Sequence, residues 1–248
     1  MRTTTSTLNY VGTPPRPAAT VVPLRGGPHG ALEVLMCQRS SMMRAAAGAM
    51  VFPGGALGDE DEQLAQRVDT PTTEALTRRL NSPLAVAYAV AGCREMTEEV
   101  GLGPVELLTH RGAVIRRETT WSDVVASTGV LWPVHSLVYL AHWITPAERL
   151  HRFDTRFFVV EVSDSAESPD GDEIVDTCWT TPSRALRSVE EGQWTMLTPT
   201  LRVLTWLAQR HDTSDALASA RHREVTPIQP RVVHRDGVDI VEVPEPGL

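Results

Sequence analysis

The stretch GCREMTEEVGL, residues 92–102, sets one arginine and three glutamates within six positions and closes on a glycine. Crowded carboxylates repel, at a cost on the order of 1 kcal/mol or more for each close pair near a protein surface, so something cationic should offset them. On a helical wheel of roughly 100° per residue with Arg94 at zero, Glu98 falls near 40°, Glu95 near 100° and Glu99 near 140°. The three acids therefore share one face. Ala85, Ala89, Cys93, Met96 and Val100 gather between roughly 180° and 260°, the apolar stripe by which a helix sits on a sheet. The wheel predicts an acidic face turned away from the core, with Ala87 and Ala91 leaving room for a close loop; the Pro53-Gly54-Gly55 turn is the expected neighbour. A hard divalent ion, Mg2+ or Mn2+, accepts such carboxylate oxygens and keeps positions open for phosphate. Arg94 can steady Glu98 by an i,i+4 pair.

The rest of the chain narrows the setting. At 248 residues, 42% hydrophobic and 22% charged, it is long enough for one well-filled domain. A formal net charge of −8 argues against a nucleic-acid surface. Cys37, Cys93 and Cys178 are widely spaced with no C-x-x-C pair, which fits reduced thiols in a cytoplasmic protein. No run of 18 apolar residues suggests a membrane span. Motifs for a nucleophilic serine elbow, a P-loop, a zincin helix and a dinucleotide fold are missing.

Read along the chain, residues 1–17 form a Thr/Pro-rich arm and 18–244 a single domain. Segments 18–24 and 31–39 make a hairpin across RGGPHG, and 48–52 is a third strand. Residues 58–82 are polar and acidic, and read as a part-helical insertion packed at the rim of the site as a lid or interface rather than in the core. Further strands are expected at 105–116, near 136–144, at 156–163 and at 174–180; helices after Thr120, at 182–191 and at 198–210; and a closing hairpin turns at Asp236-Gly237.

REMTEEVGL (94–102) resembles the second half of the Nudix box, R-E-U-x-E-E-x-G-U with U a bulky aliphatic residue. The first half, G-x5-E, is represented by Gly55 to Asp61, with aspartate in place of glutamate and with Glu60 and Glu62 in near register. Residues 62–93, 32 in number, then separate Asp61 from Arg94, far more than an uninterrupted box allows. That interruption is similar to the coenzyme A diphosphatase branch of the Nudix superfamily. So are WITPAERLHRFDTRFFVVEV (143–162) and RVVHRDGVDIVEVP (231–244). The stretch LMCQRSSMMRAAAGAMVFPGG (35–55) loosely resembles that branch's arginine-bearing segment.

The resemblance implies an α/β fold, a Nudix-type α/β/α sandwich with a mixed sheet, an insertion in the box and a C-terminal helical and hairpin extension. It implies Mg2+ or Mn2+ held by Glu95, Glu98, Glu99 and the Gly55 carbonyl, with Arg94, Glu95, Glu98 and Glu173 in catalytic roles and Arg39 and Arg44 on substrate phosphates. The implied partner is a small nucleotide, with neither nucleic acid nor membrane involved, in a chain compatible with a homodimer. The implied reaction is hydrolysis of a diphosphate in coenzyme A or acyl-coenzyme A. NADH, ADP-ribose or another nucleotide is the alternative substrate, and a non-catalytic nucleotide sensor the alternative role.

Overall fold

Strands of this chain are apolar on both sides, which demands cover on both faces of the sheet. The computed structural model describes residues 13–43, 46–163, 167–235 and 238–244. It holds β1 (Arg16–Gly26), β2 (Leu32–Arg39), β3 (Met50–Val51), β4 (Gly54–Ala56), β5 (Val138–Ile144), β6 (Phe153–Glu161), β7 (Ile174–Thr180) and β8 (Pro227–Ile228) in one mixed sheet. The order β3-β2-β1-β6-β5-β8 carries β4 against β1 and β7 against β2. The β1–β6 and β5–β8 pairs are parallel. Alternation is clear along each central strand. Ala19 and Val21, Leu35 and Cys37, and Phe158 and Val160 enter one core; Val22 and Leu24, Val34 and Met36, and Phe157 and Val159 enter the other. The result is a three-layer sandwich.

The first core is roofed by α3 (Ala85–Val100), together with α1 (Asp59–Ala65), α2 (Thr70–Leu80) and α6 (Trp121–Thr128). Helix α3 lies close on β1 because Gly92 has no side chain: a Cβ there would stand 2.7 Å from Val21 Cγ2. The helix stops at Gly101, whose φ of 70° is left-handed. The Leu102 amide reaches back 3.3 Å to the Met96 carbonyl, the six-to-one closure that lets a glycine end a helix. The second core is covered by α7 (Pro182–Glu190), α8 (Thr198–Leu207) and α9 (Thr213–His222).

Several expectations need correction. Residues 105–116 are not a strand but α4 (Val105–Leu108) and α5 (Arg111–Ile115), opened by Pro104, whose carbonyl accepts the Leu107 and Leu108 amides. Helix α9 is an addition to the expected elements; Asp212 caps it, and Ala216, Leu217 and Ala220 are its buried face. Strand β1 starts at Arg16, so the expected arm of 1–17 overlaps the sheet, and residues 1–12 lie outside the described residues. The closing hairpin is present as β9 (Arg231–Arg235) and β10 (Val238–Glu242), a separate two-stranded sheet; Asp236 and Gly237 of its turn are outside the described residues.

The segment 58–82 is not confined to the rim. Its two helices send Leu64, Leu76 and Leu80, each at most 7% exposed, into the first core. A buried leucine lost to a smaller residue costs about 2–5 kcal/mol, and three together rival the 5–15 kcal/mol that holds a whole domain. Replacing residues 62–82 by a short Gly/Ser linker is therefore expected to abolish the cooperative thermal unfolding transition, measured by circular dichroism. A variant that melts like the parent would restore the lid.

Candidate active site

The acidic face of α3 is covered rather than solvated. Arg94 is its centre, and the side chain is 13% exposed. Its Nε and Nη2 donate to the two carboxylate oxygens of Asp61 at 2.8 and 3.0 Å, and Nη2 also donates to the Ala56 carbonyl at 3.2 Å. Its Nη1 donates to Glu98 Oε2 at 3.0 Å and stands 3.0 Å from Glu95 Oε1. Burial alone would lower the arginine pKa, but the hydrogen bonds to Asp61 and the charges of Glu95, Asp61 and Glu98 outweigh it and raise it. Asp61 is fully buried and also accepts the Gly58 amide at 2.9 Å. Of the three acids in near register, Asp61 is thus the one on Arg94. Glu60 turns instead to the Ser122 amide, 2.6 Å away, tying α1 to α6.

The Gly54–Gly55 turn docks directly on the other two glutamates. The Gly54 amide donates to Glu99 Oε2 at 2.9 Å. A Cβ on Gly54 would lie 2.4 Å from the Ala19 carbonyl, so that position tolerates no side chain, and one on Gly55 would lie 2.2 Å from Glu95 Oε1 and displace that carboxylate. Glu99 is 4% exposed, which corrects the expectation of an outward acidic face. Burial, then the Glu95 charge, raises its pKa against the pull of the Gly54 amide. Burial also pushes Glu95 up to about 7, opposed by Arg94 and reinforced by Glu98 and Asp61.

Three features escaped sequence reasoning. Trp121 Nε1 donates to Glu98 Oε1 at 2.5 Å, and Arg111 donates to the Glu98 carbonyl at 2.6 and 3.0 Å. Arg16, at the start of β1, joins Ala56, Gly58, Arg94, Glu95 and Glu98 around a cleft of about 410 Å³. Its side chain has no hydrogen bond or ion pair among the described residues, unlike Arg94. Only its place beside the PGG strand, visible once β1 pairs β4, reveals it.

Two of the remaining expected residues, Arg39 and Glu173, sit beside Glu99. Arg39 Nη2 is 3.7 Å from Glu173 Oε2, the Arg39 Nε is buried without an acceptor among the described residues, and the charges of both residues act on Glu99. Arg44 lies outside the described residues. A second concavity of about 490 Å³, between α2, the start of β5 and α9, is walled mainly by Leu76, Leu137, Val138 and Tyr139. It lies away from the acids, and its Arg79 is committed to the Ala220 and Arg223 carbonyls.

Among the described residues no three acidic, histidine or cysteine side chains converge as a finished metal cage. The donor set nonetheless fits a hard divalent ion. It consists of carboxylates, and Glu95 Oε2 and Glu99 Oε1 accept no hydrogen bond from a described residue.

With that geometry in place, the chain can be set beside known structures. It is similar to a Nudix hydrolase from Alicyclobacillus acidocaldarius, 25% identical, with a TM-score of 0.70 over 83% of this chain and 96% of that one. More distant are the Nudix domain of Shewanella oneidensis NrtR, solved with ADP ribose (13% identical, TM-score 0.45, 78% and 86% covered), and a MutT protein from Bacillus halodurans (9%, 0.45, 94% and 99%). No protein-family model matches the chain, and no curated protein does. The fold is the mixed α/β sandwich of Nudix hydrolases, and its structural neighbours are consistent with a Nudix hydrolase enzyme. No helix among the described residues is long and apolar enough to cross a membrane.

The raised Glu95 pKa has a stability consequence. A carboxyl whose folded pKa lies above its unfolded value near 4.5 stabilises fully below that value, and the contribution is lost as pH rises through about 7. In chelator, the parent is therefore expected to lose about 2–3 kcal/mol relative to Glu95→Gln between pH 5 and 8, because each tenfold difference in proton affinity between the folded and unfolded chain is worth roughly 1.4 kcal/mol. Urea unfolding at both pH values reads this; parallel curves would refute the burial of Glu95.

Proposed function

We propose that the chain hydrolyses the diphosphate linkage of a nucleotide conjugate with Mg2+ or Mn2+, and that coenzyme A or acyl-coenzyme A is the substrate. The observation that carries this reading is the cleft itself: Glu95 and Glu98 line it beside Arg94 and Asp61, Glu99 is buried beneath the adjoining Gly54 amide, and Arg16 stands in the lining uncommitted among the described residues. Glu95, Glu98, Glu99 and the Gly55 carbonyl would hold the ion. When bound, such an ion neutralises phosphate charge and lowers the pKa of water. The chain's own groups do the rest. Arg16 binds and orients the phosphates that an otherwise acidic cleft would repel. Glu95 takes the proton of the attacking water through a carboxylate oxygen not engaged with the ion, and Glu173 is the alternative base. Two phosphate monoesters leave.

The preference for coenzyme A rests on the resemblance and on the need to bind a 3′-phosphate that NADH and ADP-ribose lack. Arg39 and Arg44 are the proposed holders. Arg156 of β6 is a poor substitute: it is 8% exposed, stacked 4.9 Å from Tyr88 and bound to Asp154 and His142, so it belongs to the scaffold. The segment RFDTRFF, part of the resemblance, is a clasp on the β5–β6 hairpin: Arg152 donates to the Thr145 carbonyl at 3.2 Å, and the Phe153 amide to Thr145 Oγ1 at 3.0 Å.

A charge-assisted arginine contact is worth roughly 1.5–3 kcal/mol, or about tenfold to hundredfold in binding. Coenzyme A should exceed its 3′-dephospho form in kcat/KM by that factor, and Arg39→Ala or Arg44→Ala should erase the gap. Equal rates on the two forms, or faster rates on NADH, would select the other nucleotide substrates. Arg16→Ala should raise KM about tenfold or more on every diphosphate tested, and Glu98→Gln should lower kcat by about a hundredfold or more. Parent-like turnover in Glu98→Gln would refute the metal assignment.

A further inference from the structure

Metal-binding carboxylates work at a fixed orientation, and the groups hydrogen-bonded behind them commonly set it. Glu98 has such a group on each oxygen. Arg94 supplies one, within the box; the other comes from a helix that no part of the box contains. Trp121 opens α6, is fully buried, and donates its indole N–H to Glu98 Oε1 at 2.5 Å. An indole nitrogen donates only, so this bond has one polarity and needs the carboxylate ionised or its acceptor oxygen turned to the ring. A second indole braces the first: Trp132 packs edge-on at 5.0 Å between centroids, and its Nε1 donates to Thr97 Oγ1 at 2.8 Å. The Thr97 hydroxyl shares its one proton between the Cys93 and Leu102 carbonyls, each 3.0 Å away. Two tryptophans from the 105–136 region thus hold consecutive residues, 97 and 98, of the catalytic helix.

We propose that Trp121 is a positioning residue: its indole fixes the plane of the Glu98 carboxylate for metal binding, whereas Trp132 serves packing through Thr97. A phenylalanine at 121 would keep the ring but release Glu98 to rotate about its side-chain bonds while Arg94 holds the other oxygen. The ordering entropy of that rotation would then be lost on metal binding rather than on folding. The inference rests on the diphosphatase reading, because it presumes that Glu98 meets a cation.

The test measures Mn2+ uptake by the full chain, from the loss of the free Mn2+ electron paramagnetic resonance signal, in the parent, Trp121→Phe and Trp132→Phe. Loss of an orienting partner costs about 10–100-fold in metal affinity. Trp121→Phe should weaken uptake tenfold or more while Trp132→Phe stays within about twofold. No uptake by the parent would overturn the diphosphatase reading and the positioning with it. Uptake by Trp121→Phe equal to the parent, or equal weakening in both variants, would overturn the positioning alone. A second measurement needs no Trp121 variant. Two of the six tryptophans donate their indole N–H to a carboxylate, Trp121 to Glu98 and Trp179 to Glu167, so the nitrogen-15 spectrum of the parent should show two strongly downfield indole signals, of which only one moves when Mg2+ is added and is displaced in Glu98→Gln. A spectrum whose indole signals are unchanged by both would also overturn the positioning.

Discussion

The pair between Arg94 and Asp61 is the constraint on which the rest of the site depends. A bidentate guanidinium on a carboxylate with no solvent exposure fixes α1 to α3. With α1 in place, Glu60 reaches the Ser122 amide and brings α6 alongside, and α6 delivers Trp121 to Glu98. On the other side Arg94 grips the Ala56 carbonyl, which seats the strand of the Gly54–Gly55 turn over Glu95 and Glu99. Removing one partner of such a buried pair leaves an uncompensated charge at a cost of about 3–5 kcal/mol, far more than an exposed pair would forfeit. Asp61 therefore does in this chain the structural work that makes the acidic face tolerable: the arginine it orients is the cation that offsets three carboxylates.

Much of this is legible in the sequence because it is local. The nine residues from Arg94 to Leu102 carry their own instructions: acids on one arc, an apolar stripe opposite, and a glycine whose left-handed φ ends the helix. The expected neighbour of the acids, the Gly54–Gly55 turn, is there as well, with the Gly54 amide on Glu99. What sequence reasoning misses is of two kinds. Residues 105–116 look alternating, yet Pro104 starts a helix there, and the long spacing between Leu207 and β8 hides α9, whose alanines give a weak stripe. The other misses are contacts between residues distant in sequence. Trp121 and Glu98, Glu60 and Ser122, and Arg16 with the cleft meet only through folding, and spacing along the chain carries no trace of them. The wheel also puts Glu99 outside: it allows the turn to come near but does not reveal that the Gly54 amide will bury this carboxylate.

The segment interrupting the box illustrates how composition misleads. Its charge suggests a lid, but three leucines at most 7% exposed make it part of the core, while its first three acids, Asp59, Glu60 and Asp61, line the cleft. One segment serves both: Leu64 packs inward from α1 and Asp61, three residues earlier, meets Arg94. Lengthening the spacer thus leaves the Arg94 register intact and adds a helix pair that carries the first acid to it.

The proposed function has water, activated within this cleft, attack phosphorus in a diphosphate. It is tested most directly by turnover of coenzyme A with Mg2+ in water enriched in oxygen-18, with the products weighed by mass spectrometry. Two phosphate monoesters are expected, whose masses sum to substrate plus one water, with a single heavy oxygen on a phosphate group. Heavy oxygen in an alcohol, from cleavage at carbon, would contradict it, as would the absence of turnover on any diphosphate offered.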